Sequence, residues 1–402
     1  MRLLFLTAET FPTFRADVAV LFGKYLPRHG VFSDLVAGRA PEHEGSPDNW
    51  GGGEALLCEV AGGQVKRHAK TLLHGLRSLV TADRGRYDAL QVRDMAVLGA
   101  CALLAARLKG LPFIYWMSFP YPEAQILRAK ERGLSEGVMK FIFPWVQGRV
   151  ERFLLYRIIL PRASHVFVQS ERMKLDLIDR GIPSEKMTPV PMGVDVEAIL
   201  EPCVAPSDDP RLIGRRAIVY LGTLDRVRRI EKLFPMLAIV RQRLPDVLLV
   251  LVGETMDASH RAWLEEQAIA AGVAPHVLWT GWLSTERAWR YVRAAKVGLS
   301  PIPRGILLDC GSPTKVQEYL VLGIPVVCND NPDQKEVIEA TGAGRCVPYT
   351  SEAFAEAVIE VLLDSEGREN VSLCSGAAYV RKFRSYDKIS VMVAEAYNRV
   401  GN

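Results

Sequence analysis

Between Leu308 and Asn329 the sequence reads LDCGSPTKVQEYLVLGIPVVCN, and its residue types suit a phosphorylated ligand. A loop of small residues ends at Ser312, Pro313 and Thr314, followed by a short run that carries Lys315 and Glu318 and stops at Gly323. Ser312 is a good N-cap, Pro313 suits the first helical position, and Gly323 suits the C-terminal stop. Free main-chain N–H groups at such a helix start attract phosphate oxygens. Glu318 falls about a turn and a half into that helix, where its carboxylate can accept from two neighbouring ribose hydroxyls. Lys315 is either a phosphate contact or a solvated lysine. Alone, Glu318 reads as a mid-helix glutamate facing water; the Gly-Ser-Pro start beside it turns the reading towards binding.

A second set lies upstream. Tyr220-Leu221-Gly222-Thr223 ends an apolar run in a glycine turn and leads into LDRVRRIEKL, a predicted helix opening with Arg226, Arg228 and Arg229. Guanidinium groups clamp a diphosphate and offset the charge that grows as it leaves. Basic side chains in a first turn oppose the helix dipole, which favours a functional reason for Arg228 and, after it, Arg226. Arg229, with Glu231 and Lys232, reads as solvated surface. Trp282, after the run VLWT, can bracket a flat base, although an aromatic there also serves packing.

Short apolar runs must position these residues. Leu3–Thr7, Phe32–Ala37, Ala55–Val60, Ala89–Val92, Phe113–Trp116, His165–Gln169 and Met187–Pro189 read as strands separated by helical patterns, including Asp17–Arg28. A second alternation holds Ala217–Leu221, Val247–Val252, Val277–Thr280, Val297–Ser300 and Pro325–Cys328. Such alternation means parallel α/β sheets, and parallel sheets bind ligands at strand C-terminal ends. At 402 residues the chain exceeds the size of one core. The expected division is 1–200, 211–382 and a last helix at 383–402 able to pack back on the first domain, with the Pro/Asp-rich segment Glu201–Pro210 as linker.

The composition is ordinary globular, 49% hydrophobic and 24% charged, and a net charge of +4 does not point to nucleic acid. Seven scattered cysteines without a CxxC pair suggest reduced thiols in a cytoplasmic protein. Met95–Ala106, the longest apolar segment, is too short to cross a bilayer. No histidine stands in a metal-ligand spacing. The stretch 128–162 interleaves arginines and lysines with Phe141, Ile142, Phe143, Trp145, Phe153, Leu154 and Leu155. It reads either as helices packing on the first sheet or as a peripheral contact with the inner face of an anionic membrane.

In order, VPMGVD, YLGTLDRVRRIEKL, LVGE, WTGWLS, SPIPRG and GSPTKVQEYLVLGIPVV resemble the family-4 retaining glycosyltransferases of the GT-B fold, two Rossmann-like domains facing each other across a cleft. The resemblance covers Val166 to Val400; the first half matches in rhythm only. It implies transfer of a sugar from a nucleoside diphosphate to a glycan or lipid-linked acceptor, with no metal cofactor, in glycan, glycolipid or secondary-product biosynthesis. It gives Glu318 the ribose. Arg228 falls where the family has a phosphate-binding lysine, and Thr223 where it has an arginine, leaving Arg226 as the substitute. The first acid of the family's glutamate pair falls at Cys310, so either Asp309 does its work or the donor-sugar contact differs. The family's donor-sugar histidine is absent from YWMSFPYPE, as is its glycine pair from TFPTFRADVAV. Arg15, Asp17 and Glu123 either meet the acceptor or are ordinary loop polarity. A nucleotide-sugar epimerase and a non-catalytic scaffold subunit remain open as alternatives.

Overall fold

The computed structural model describes residues 1–13, 15–39, 49–60, 62–133, 137–200, 203–364 and 368–401. The first two residues of the expected linker, and 134–136 of the basic apolar stretch, lie outside the described residues. The chain divides into one unit of Met1–Met192 with Tyr386–Asn402, and another of Gly193–Ser385.

The first unit holds β1 (Arg2–Phe11), β2 (Phe32–Arg39), β3 (Ala55–Glu59), β4 (Ala89–Arg93), β5 (Phe113–Met117), β6 (His165–Val168) and β7 (Met187–Pro189). They form one parallel sheet in the order β3-β2-β1-β4-β5-β6-β7. Leu3–Leu6 is buried on both faces, as expected of an inner parallel strand covered by helices. Those helices include α1 (Gln64–Thr81), α2 (Ala96–Lys109), α3 (Tyr121–Arg132), α4 (Val138–Phe153) and α5 (Glu171–Ile178). The predicted helix Asp17–Arg28 is instead broken into an α turn at Ala16–Ala19, a π turn at Leu21–Tyr25 and a 3-10 turn at Leu26–His29. Pro27 removes a main-chain donor from that run, and Gly30 ends it in the left-handed region. The last helix, Tyr386–Gly401, buries Tyr386, Ile389, Val393 and Tyr397 in the core of this unit, with Phe5 and Phe167.

The second unit holds β8 (Arg216–Leu221), β9 (Val247–Val252), β10 (Val277–Trp279), β11 (Val297–Ser300), β12 (Val326–Asn329) and β13 (Gly344–Val347), parallel in the order β10-β9-β8-β11-β12-β13. The strand β13 was not expected: its GRCV segment is half-buried at the sheet edge and lacks an apolar signature. The helices α6 (Leu233–Arg243), α7 (Ala258–Ala270), α8 (Thr285–Ala294), α9 (Thr314–Val321), α10 (Pro332–Thr341) and α11 (Ser351–Leu363) complete the unit. Chain direction along the sheet reverses between β8 and β11, so the loops leaving these two strands splay apart and open a crevice at their C-terminal ends. The Leu308–Asn329 segment joins β11 to β12 at that crevice.

Candidate functional site

Helix α9 is tied to the sheet by Tyr319. Its hydroxyl accepts from the Leu221 main-chain N–H at 2.8 Å and donates to the Leu299 carbonyl at 3.2 Å, which joins β8 and β11 through one side chain. The ring lies on Gly298, where an added Cβ would come within 2.4 Å of it. Lys315, four residues before Tyr319, and Glu318, beside it in sequence, are therefore placed by a contact that only glycine at 298 permits.

The end of β8 is shaped in the same way. Gly222 has φ +140° and Gly253, after β9, has φ +135°; a Cβ on Gly253 would meet the Gly222 carbonyl oxygen at 2.1 Å. The two loops touch through bare backbone. Lys315 reaches into this place: its Nζ stands 3.9 Å from the centroid of the Tyr220 ring and beside the Gly222 Cα. Burial pushes the Lys315 ammonium well below the ordinary lysine range, and the Arg228 guanidinium pushes it the same way, against the pull of Glu318. Among the described residues neither Lys315 nor Arg228 has an ion pair within 4 Å. Burial and the positive charge of Arg228 both disfavour a charged Lys315 at this helix start, and a polyanion seated there would favour it.

Glu318 is half-buried on the same helix. Its Oε1 accepts from the Trp289 indole N–H of α8 at 2.9 Å, leaving Oε2 for another donor. Burial raises the Glu318 carboxyl above the usual range, while Trp289 and Lys315 offset part of that rise. Trp289 was not singled out in the sequence. Its signal, an aromatic on the buried stripe of TERAWRYVRA, is that of core packing, and only the fold turns its N–H towards Glu318.

Several expected roles change. Ser312 does not cap α9: Pro313 occupies the N-cap position, Thr314 is the first helical residue, and no side chain caps the helix. The Ser312 hydroxyl instead donates to Asp333 at 2.8 Å, and Asp333 is ion-paired with Arg384 at 2.9 Å. Ser312 is thereby a fixed anchor of the loop, and the first N–H groups of α9 stay free of side-chain caps. Arg226, Arg228 and Arg229 do not open an α-helix. They form a 3-10 turn, Arg226–Arg228, and Arg229 takes φ +53° before a second turn at Ile230–Lys232, so the dipole argument for these arginines falls away. Arg226 is exposed and turned to Asp257 at the start of α7, 3.3 Å away. Arg228 is half-buried and is the one that acts on Lys315. Asp309 is held by Arg304 through two bonds of 2.8 and 3.2 Å, and does not stand free to take the place of the missing acid. Cys310 is buried, its thiol donating to the Leu307 carbonyl. Thr223 uses its carbonyl to accept from Tyr220, and Trp282 is 57% exposed beyond Gly281. The structure therefore brings together Gly222, Arg228, Lys315, Glu318 and the start of α9 at Pro313-Thr314.

In the first unit, the reversal of chain direction lies between β1 and β4, and a charge network occupies the strand ends there. Arg93 donates to Asp17 at 2.7 Å, Glu9 at 2.9 Å and Ser118 at 3.0 Å, and pairs with Asp94 at 3.2 Å. Asp94, at φ +63°, accepts from both the main-chain N–H and the hydroxyl of Ser118. Burial raises Asp17, but the charges of Arg93 and Arg15 outweigh it and hold its carboxyl below the usual range. Burial dominates at Asp94, whose carboxyl is raised. Of the acceptor candidates, Asp17 is locked in this network, Arg15 lies 3.3 Å from Asp17, and Glu123 sits beneath Arg152 and Arg180. Sequence reasoning passed over Arg93-Asp94, which follow a strand as any polar turn does.

Among the described residues no three His, Cys, Asp or Glu side chains converge as metal ligands, and no helix is long and apolar enough to cross a membrane.

Residues 210–373 match the glycosyl transferases group 1 family, and residues 16–193 match the glycosyl transferase 4-like domain. No curated protein matches the chain in sequence. Among solved structures, the chain is similar to Anabaena HepE in complex with UDP and glucose (16% identity, 99% of each chain, TM-score 0.68). It is also similar to the sucrose-phosphate synthase of Thermosynechococcus elongatus (16% identity, 100% of this chain and 99% of that one, TM-score 0.73). A glycosyltransferase from Rickettsia africae aligns over 99% of this chain and 98% of its own (14% identity, TM-score 0.70). With both parallel-sheet units matched in sequence and the full length matched in fold, the chain belongs to the family-4-type glycosyltransferases of the GT-B fold.

Proposed function

We propose that this glycosyltransferase takes its sugar from a nucleoside diphosphate and transfers it, with retention of anomeric configuration, to a hydroxyl of a glycan or lipid-linked acceptor. The observation that carries the donor reading is the place of Lys315, its Nζ 3.9 Å from the Tyr220 ring centroid at the Gly222 turn, with Glu318 three residues further along α9. A diphosphate seated against Lys315, Arg228 and the free N–H groups of α9 meets three sources of positive potential. Glu318 Oε2 then accepts from the ribose hydroxyls while Trp289 holds Oε1. HepE, similar in fold at 16% identity, has been crystallised with UDP-glucose, which supports the donor class.

In the reaction, the bond from the anomeric carbon to the diphosphate oxygen breaks and a bond from that carbon to the acceptor oxygen forms on the same face. The acceptor proton passes to the leaving phosphate oxygen. Lys315 and Arg228 stabilise the charge that accumulates on that group, the work done elsewhere by a divalent cation, so the reading assigns this step to side chains. A biosynthetic role in surface glycans, glycolipids or secondary products follows from the acceptor class.

The test is to incubate the protein with a panel of nucleoside diphosphate sugars and acceptors, following diphosphate release and the anomeric configuration of the product by NMR. Arg228→Ala is expected to lower kcat by about 100-fold, in the range of removing one oxyanion donor. Arg226→Ala, its guanidinium already spent on Asp257, is expected to change kcat less than about twofold. Equal losses in both variants overturn the assignment. A donor converted to a stereoisomer points to an epimerase, and nucleotide binding without turnover points to a scaffold.

A further inference from the structure

Helix α4 carries an apolar face that the described residues of the first unit leave exposed. Met139, Ile142, Phe143, Val146, Val150 and Phe153 are all exposed, Met139 to 74% and Phe143 to 66%. At one residue per 100° these six fall within an arc of about 100°. The opposite side of the helix is the packed one: Gly148 lies against α3, where a Cβ would come within 2.8 Å of Ile126 and 3.1 Å of the Pro122 carbonyl oxygen. The exposed face is thus the outer face of the α3–α4 pair.

Beside it opens a cavity of about 470 Å³ lined by Arg149, Arg152, Phe153, Tyr156, Arg157 and Arg180. Glu123 stands 3.7 Å from Arg152 and 3.5 Å from Arg180. Arg149 and Arg157 have no carboxylate within 4 Å among the described residues. Among the described residues, four guanidinium groups stand against the one carboxylate paired with them, so the lining carries net positive charge. Phe153 belongs to both the cavity and the apolar face, so the two are continuous.

We propose that this face docks on an anionic lipid bilayer, with the α4 apolar side chains entering the interfacial layer and a lipid phosphate seated among the four arginines. The pairing of an apolar helix face with a cationic edge is what an interfacial helix requires, and phosphate is the anion that guanidinium groups bind in two-pronged fashion. A second copy meeting this face about a twofold axis would set arginine cavity against arginine cavity, a like-charge contact that opposes self-association. This surface is built by residues of the first unit and the donor site by residues of the second, so the two readings are tested independently.

Co-sedimentation of the full chain with vesicles tests it. Vesicles of phosphatidylcholine and phosphatidylglycerol are expected to bind the protein, binding is expected to weaken as salt is raised, and phosphatidylcholine alone is expected to bind it weakly. The double variant Arg149→Gln, Arg157→Gln is expected to lower partitioning to anionic vesicles about 30-fold, at the strength of two basic groups near such a surface. Phe143→Ser with Phe153→Ser is expected to lower it at least about tenfold. Both variants keep the wild-type circular dichroism spectrum and nucleotide binding, because every substituted side chain is exposed. Partitioning unchanged by the arginine pair, or equal on neutral and anionic vesicles, overturns the proposal. A stable dimer in light scattering that Phe143→Ser dissolves would assign the face to a second copy instead, and overturns it too.

Discussion

Lys315 is a residue whose charge the fold tolerates at a cost, and replacing it with methionine separates binding from stability. The side chain is 8% exposed and its ammonium rests on the Tyr220 ring, a contact worth about 0.5–2 kcal/mol. Against that stands a desolvation cost of several kcal/mol, on the order of that for other buried ions, with the added repulsion of Arg228. Methionine keeps the length and unbranched stem and removes the charge. The nucleotide-free variant is therefore expected to be more stable by roughly 1–2 kcal/mol, a rise of about 2–8 °C in Tm for a unit of this size. The same change removes a charge-assisted contact to the diphosphate worth about 1.5–3 kcal/mol, so UDP affinity falls about 10- to 150-fold. The pH dependence carries the same signature. Above the depressed pKa of Lys315, and up to the unfolded value of about 10.4, the unfolded chain binds the extra proton, so wild-type stability gains with rising pH over that window. Lys315→Met lacks that gain. Differential scanning fluorimetry across pH, with and without UDP, reads all three effects. A variant that melts lower than wild type yet keeps its full UDP shift refutes the reasoning, because Lys315 would then be a structural cation and not a ligand for phosphate.

Two further outcomes follow from the same physics. Trp289→Phe keeps the packing of α8 but removes the N–H that lowers the Glu318 carboxyl, so Glu318 titrates at higher pH. Titration calorimetry is expected to show donor affinity about fivefold lower at neutral pH, in keeping with about 1 kcal/mol for one hydrogen bond, and its acid limb shifted upward. Arg93→Ala leaves Asp17, Asp94 and Glu9 facing one another without their shared cation. The expected loss is about 3–5 kcal/mol of stability in urea unfolding, as for other broken buried pairs; a change under about 1 kcal/mol would mean that the network is not what holds the β1 and β4 ends together.

Much of this arrangement is legible in residue order because it is local. Parallel strands buried on both faces read as unbroken apolar runs, so LLFL and VLLVLV announce themselves, whereas the edge strand GRCV does not, being half-buried. Glycines at 222 and 323 mark turns that need a left-handed backbone, whereas the close approach of Tyr319 to Gly298 shows only in the fold. The run SPTKVQEY likewise signals a helix beginning in open N–H groups and bearing a lysine and a glutamate on one stretch.

Which polar groups are left available is not local, and there the sequence by itself was silent. Ser312 as a cap, Arg226 as a phosphate ligand and Asp309 in place of the first acid are each sound pairings of residue type with chemistry. Asp333, Asp257 and Arg304 claim them from elsewhere in the chain. Trp289 reaches Glu318 across 29 positions, and Arg93 reaches Asp17 across 76. The sequence determined a glycosyltransferase-like pair of parallel sheets and the helix that carries Lys315 and Glu318, because strand burial and helix termini depend on neighbours in the chain. Only the tertiary structure decided that, among the described residues, Lys315 and Arg228 have no ion pair within 4 Å while Ser312, Arg226 and Asp309 are engaged by Asp333, Asp257 and Arg304, because such pairing depends on distance through space and is set only when the strand ends converge.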